Sequence, residues 1–174
     1  MSKKLLIYGL AFGSAAAAVS YLYIVSIVFK PDLASHLISI LTEALVIPGV
    51  AIFFFLKSVK AANPDQFMLG KAVFLSFFLS IIIGASVSLL FSYLTQFRPE
   101  LIARMINLKI SDFNSSKYFS KFTAKEVVQK HQEIKDAYSV TSQFIYQMFF
   151  GGARGLFLGA IIGYFMKAKV ISKD

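Results

Sequence analysis

Apolar residues along this chain fall in long uninterrupted blocks. Four stand out: Leu5 to Phe29, Leu37 to Leu56, Ala72 to Leu94 and Phe144 to Met166. A helix rises ~1.5 Å per residue, so about 20 apolar residues cross ~30 Å of hydrocarbon. Each block reaches or approaches that length, and the pattern predicts four membrane spans. The stretch 95–143 between the third and fourth is the one sizeable polar segment. In it, Pro99 opens a predicted helix through PELIARMINL, and a loop follows at Asn114-Ser115-Ser116. TAKE is then a capping box, with Thr123 as cap and Glu126 reaching back. No glycine or proline interrupts Ala124 to Phe150, and Val127, His131, Ile134, Tyr138, Thr141 and Ile145 recur at three- and four-residue steps. This predicts a last helix that starts near Lys125 and enters the membrane without a break. Asn63-Pro64, with Gln66 behind, predicts a start near Pro64 for the third helix. Pro48-Gly49 predicts a kink in the second. The expected fold is all-α: one integral membrane domain over 1–174, a four-helix bundle with a helical extramembrane extension between spans three and four.

Small residues recur within the blocks at intervals of four. Gly9 and Gly13 do so in the first; Ala72, Ser76, Ser80, Gly84, Ser88 and Ser92 in the third; Gly151, Gly155, Gly159 and Gly163 in the fourth. Residues four apart share a helix face. Lipid is as apolar as leucine, so helices in a bilayer gain chiefly from close backbone approach, which small residues permit. These faces predict tight packing within the bundle. The surplus around Gly151 to Gly163 also fits a docking face for a second membrane subunit.

Composition adds exclusions. The chain is 57% hydrophobic and 16% charged, with a mean hydropathy of +0.68 and no cysteine. That excludes disulfides, thiolate chemistry and cysteine-held clusters. His36 and His131 are the two histidines, without metal-ligand spacing, so no metal or other cofactor is expected, and His131 is read as a surface residue. The net charge of +9 is carried by dispersed residues with no nucleic-acid-binding motif. Lys3, Lys4, Lys57, Lys60, Lys71, Lys167, Lys169 and Lys173 flank the blocks on one side, against Asp65 and Asp174. The positive-inside rule then places both termini in the cytoplasm.

Two charges interrupt the spans: Glu43 in the second and Arg154 in the fourth. Such charges cost roughly 2.5–3.5 kcal/mol on insertion scales and tend to face the bundle interior in pairs. Their predicted depths differ by about 6 Å, within an arginine's reach, and Gly151 and Gly155 flank Arg154 as if to make room. A charge pair that fixes helix register is the first expectation, and an ion, proton or anionic-ligand site is the second.

The stretch FMLGKAVFLSFFLSIIIGA, then FRPELI with Pro99-Glu100, the long polar connection and a basic tail resemble the bacterial membrane family of domain of unknown function 4199 over nearly the full length. The resemblance implies a four-helix protein of the bacterial inner membrane with no assigned activity and no catalytic residues to carry over. It also implies a gene of the kind often encoded near polyprenol-phosphate sugar transferases. The expected function is a non-catalytic accessory or assembly subunit docked on a larger membrane partner, or a homo-oligomer in the lipid bilayer. The alternative is a small transporter or flippase-like helper for an anionic or polyprenyl-linked substrate, which requires a polar cavity reaching Arg154 from one side.

Overall fold

The computed structural model describes residues 3–29, 41–64 and 67–168, and every regular element among them is helical. Helix α1 spans Lys3–Phe29. A π-helical turn, Thr42–Val46, leads into α2, Ile47–Ala62. Helix α3 is Leu69–Phe97 and α4 is Pro99–Asn114. A 3-10 turn at Phe119–Lys121 precedes α5, Ala124–Ala137, and α6, Val140–Ala168. Among the described residues α1, α3 and α6 are long and apolar enough to cross a membrane. Of the span expected at 37–56, residues 37–40 lie outside the described residues, and the rest is the π-turn with the first part of α2.

Helix α3 is the centre of the assembly. It buries Ala72, Leu75, Ser76, Leu79, Ser80, Ile83, Gly84, Val87, Ser88, Phe91 and Leu94, a face broad enough to take a neighbour on each side. On one side lies α1, where a Cβ at Gly9 would meet Ile82 and one at Gly13 would meet Ser86. The two numbers rise together, so α1 and α3 run parallel. On the other side lies α6, where Gly151 faces Ser80, Gly155 faces Ser76, and Gly163 faces Ala72 and Leu69. Here one number falls as the other rises, so α6 is antiparallel to α3. Helix α2 closes the bundle: Ile52, Phe55 and Leu56 are buried, and the Phe55 ring meets Tyr8 at 5.7 Å. The outward surface is apolar, with Leu6, Leu10, Phe53, Phe74, Leu89, Phe149 and Phe165 all exposed. This inverts a soluble protein's pattern and matches a lipid surround.

Many hydroxyls on these apolar helices are satisfied locally. Ser20 donates to the Ala16 carbonyl, Ser76 to Ala72, Ser88 to Gly84, and Thr95 to Phe91. Back-bonding of this kind lets a serine sit in hydrocarbon without a distant partner.

Two expected boundaries shift, and the expected kink site at Pro48-Gly49 adjoins a helix irregularity. Helix α3 begins at Leu69, after an extended Met68, and not near Pro64; the Asn63 amide instead bonds the Val59 carbonyl and closes α2. Pro48 follows directly on the π-turn in unbroken helical backbone, with Val46 and Ile47 both right-handed helical. The π-turn just before it moves the Ile47 amide onto the Thr42 carbonyl, so a wider turn absorbs the proline. Lastly, α5 and α6 are separate helices, divided at Tyr138 and Ser139. Side chains at the joint replace the lost helix bonds. The Ser139 hydroxyl accepts from the Ser142 amide at 3.2 Å, and the Gln143 side chain donates to the Ala137 carbonyl at 2.7 Å.

The two ends of the bundle differ. At one end Lys4, Asn63 and Lys71 line a common cleft, and the Lys60 ammonium donates to the Met166 carbonyl. At the other, α4 buries Leu101, Ile102 and Met105. The predicted capping box at Thr123 and Glu126 starts α5, which rests on the end of α4. There His131 Nε2 lies 2.8 Å from Asn114 Oδ1 and the imidazole stands edge-on to Phe113. His131 is thus a half-buried joint between α4 and α5, where a bare surface position was expected.

Candidate functional site

Helix α6 carries two working faces. The glycine face meets α3 so closely that backbone touches backbone. A Cβ at Gly155 would stand 2.5 Å from the Ser76 carbonyl oxygen, one at Gly151 3.0 Å from that of Ser80, and one at Gly84 of α3 2.6 Å from that of Gln147. Gly159 and Gly163 continue the contact along Ser76 and Ala72. The glycines therefore serve chiefly the approach of α3. Arg154 gains only marginal room from them: its Nη2 lies 3.8 Å from the Cβ position of Gly151, an ordinary contact.

The second face holds Gln143, Gln147, Phe150, Arg154 and Phe157, at steps of four, three, four and three. It lines a cavity of about 720 Å³. Opposite stand Ser20, Tyr23 and Ile24 of α1, Leu45 of the π-turn, Phe91 of α3 and Met105 of α4. Tyr138, at the α5–α6 joint, roofs it. From Ser142 to Phe157 the cavity follows α6 for about 22 Å.

Arg154 is the one charged side chain among the described residues that line this cavity. It is half-buried and sits about 21 Å along α6 from Val140. Gln147, 7% exposed, sits two turns nearer the roof. At the roof, burial first and the Asp112 carboxylate second push the Tyr138 phenol above its ordinary range, which keeps it a neutral hydroxyl at physiological pH. The lining thus offers one guanidinium, two amides and several hydroxyls on mostly aromatic and aliphatic walls. A guanidinium presents five N–H donors in a planar fork that suits carboxylate and phosphate. Apolar walls around a few placed polar groups are the usual make-up of a ligand site.

Glu43 belongs to the π-turn whose Leu45 borders this same cavity. The side chain of Glu43, and with it the expected pairing with Arg154, lies outside the described residues. Among the described residues no group of three or more His, Asp or Glu side chains is placed to hold a metal ion.

The sequence singled out Arg154 but missed Gln143, Gln147, Tyr138 and the wall residues. A usable signal was present. Gln143 at the border of the last apolar block and Gln147 one turn inside it share a face with Arg154, and the glycine row drew attention to the other face.

A family model described as "Protein of unknown function (DUF4199)" matches residues 7–168. No curated protein and no solved structure matches the chain.

Proposed function

We propose that this chain, which belongs to the DUF4199 family, is a non-catalytic multi-pass membrane protein that holds the anionic head of an amphiphile at Arg154. It acts as a carrier or helper for that amphiphile. The observation that carries this reading is the cavity itself. A single guanidinium lies deep in a mostly apolar cleft that extends toward the α4–α5 extension. A lone anion would gain nothing from the Phe91, Phe150 and Phe157 walls, whereas a lipid-linked phosphate or carboxylate would use both parts of the site. The orientation we infer puts the lysine-bearing end in the cytoplasm of a bacterial inner membrane. The π-turn and α2 form a fourth span, and α4 and α5 lie outside. Binding of a short-chain alkyl phosphate by the full chain in zwitterionic nanodiscs tests this reading. Arg154→Gln should weaken it by ten-fold or more, and equal binding by the variant would refute the site.

Docking on a larger membrane partner keeps one supporting observation. Helix α5 buries none of its residues and exposes Val128 at 69%, leaving a helix free to be covered. The small-residue faces lend it less support, since Gly9, Gly13, Gly84, Gly151, Gly155, Gly159 and Gly163 all meet helices of their own chain.

A further inference from the structure

A second cleft lies at the opposite end of the bundle, between the first turns of α1 and α3 and the last turns of α2. It encloses about 580 Å³, where a single water's share is about 30 Å³, so there is room for much more than one hydrated ion. Lys4 and Lys71 stand on its rim with Asn63, and Phe55, Val59, Phe74 and Leu75 form its walls. Both lysines line this one cleft, Lys4 from the first turn of α1 and Lys71 from that of α3.

We propose that this cleft binds the phosphate-bearing headgroup of an anionic bilayer lipid. The charges argue for an anion. Neither Lys4 nor Lys71 forms an ion pair among the described residues, and no acidic side chain lies among the described residues that line the cleft. The nearby Lys60 is already committed: it donates to the Met166 carbonyl and stands 5.7 Å over the Phe67 ring. The walls argue for a lipid over free phosphate. Phe74 is 54% exposed and packs edge-on against Phe78, one turn deeper on α3, at 4.8 Å. The aromatic wall therefore continues from the lysines toward the hydrocarbon, along the path that acyl chains would take. Basic pockets between helices at the cytoplasmic border are a common way to hold anionic headgroups. This site stands apart from the Arg154 cavity and shares no lining residue with it.

The test uses the full chain in nanodiscs of phosphatidylcholine with or without phosphatidylglycerol, read by native mass spectrometry and by thermal midpoint. The wild type should retain phosphatidylglycerol selectively and melt higher in its presence. Lys4→Gln with Lys71→Gln should bind it about thirty-fold more weakly, the loss expected for two lysine–headgroup attractions. Lys4→Arg with Lys71→Arg should keep the preference, which separates lost charge from lost fold. Inorganic phosphate at millimolar concentration should not displace the lipid. Equal retention by the glutamine pair, or displacement by inorganic phosphate, would overturn the proposal.

Discussion

The carbonyl oxygen of Ser76 stands 2.5 Å from the point that a Cβ on Gly155 would occupy. The nearest atom is backbone, which cannot rotate away, and the Ser80 Cβ and Oγ each lie 2.8 Å from the same point. Gly155→Ala should therefore force α3 and α6 apart and cost about 1–3 kcal/mol, as overpacking does elsewhere. Gly49 is the control, because nothing among the described residues lies within 4 Å of its Cβ position. Gly49→Ala should be neutral or gain up to ~1 kcal/mol from helix propensity. Thermal unfolding of the two variants in one detergent decides the matter.

Ser80 touches the same seam. Its hydroxyl is fully buried with no hydrogen-bond partner among the described residues, unlike Ser76, whose hydroxyl bonds the Ala72 carbonyl. Ser80→Ala removes the unsatisfied oxygen and leaves the Cβ packed on Gly155. It should raise stability by about 1 kcal/mol, while Ser76→Ala should not. A lower melting point for Ser80→Ala would show that the hydroxyl has a role this packing does not reveal.

The long elements were legible in the sequence because membrane spans are written as block length. The glycine row was legible because spacing by four defines a face. The α5–α6 joint was not. The absence of glycine and proline from Ala124 to Phe150 suggested continuity, yet Ser139 and Ser142 form a cap that ends one helix and starts the next. Local hydroxyls competing with helix bonds outweighed the apolar periodicity. Asn63 misled for a related reason: the residue types that start helices also end them, and here it closes α2. The Arg154 cavity needs side chains from α1, the π-turn, α3, α4 and α6, a convergence that no single stretch of sequence displays.

The extension should loosen in acid. The Thr123 amide and hydroxyl hold the Glu126 carboxyl below the ordinary glutamate range, and Lys130 does the same for Glu133. A carboxyl that titrates lower when folded stabilises the fold above its unfolded pKa, near 4.3, and that help is lost as pH falls through the folded value. Hydrogen exchange across Thr123–Ala137 should be flat from pH 7 to about 5 after correction for intrinsic rates, then rise below about 4. Because both groups are exposed, the change should stay within the extension, with α3 and α6 unaffected.

Glu43 and Arg154 remain the two charges within the predicted spans, and their coupling is measurable. If they meet, Glu43→Gln or Arg154→Gln alone strands a charge and costs about 3–5 kcal/mol. The double variant strands nothing and should recover much of that loss. A double-mutant cycle on thermal stability would show strong coupling; additive losses would mean the charges do not meet.

In the proposed function, Arg154 holds an anionic head inside the cavity while the chain of the same molecule lies along Phe150 and Phe157. The most direct measurement is photolabelling of the full chain in phosphatidylcholine vesicles by an alkyl phosphate that bears a photoreactive group partway along its tail. Adducts are expected on cavity residues such as Leu45, Phe91 and Phe150, with their loss in Arg154→Gln and on competition by unlabelled alkyl phosphate. Adducts confined to lipid-facing residues such as Phe53 and Phe149, or cavity adducts that persist unchanged in Arg154→Gln, would contradict it.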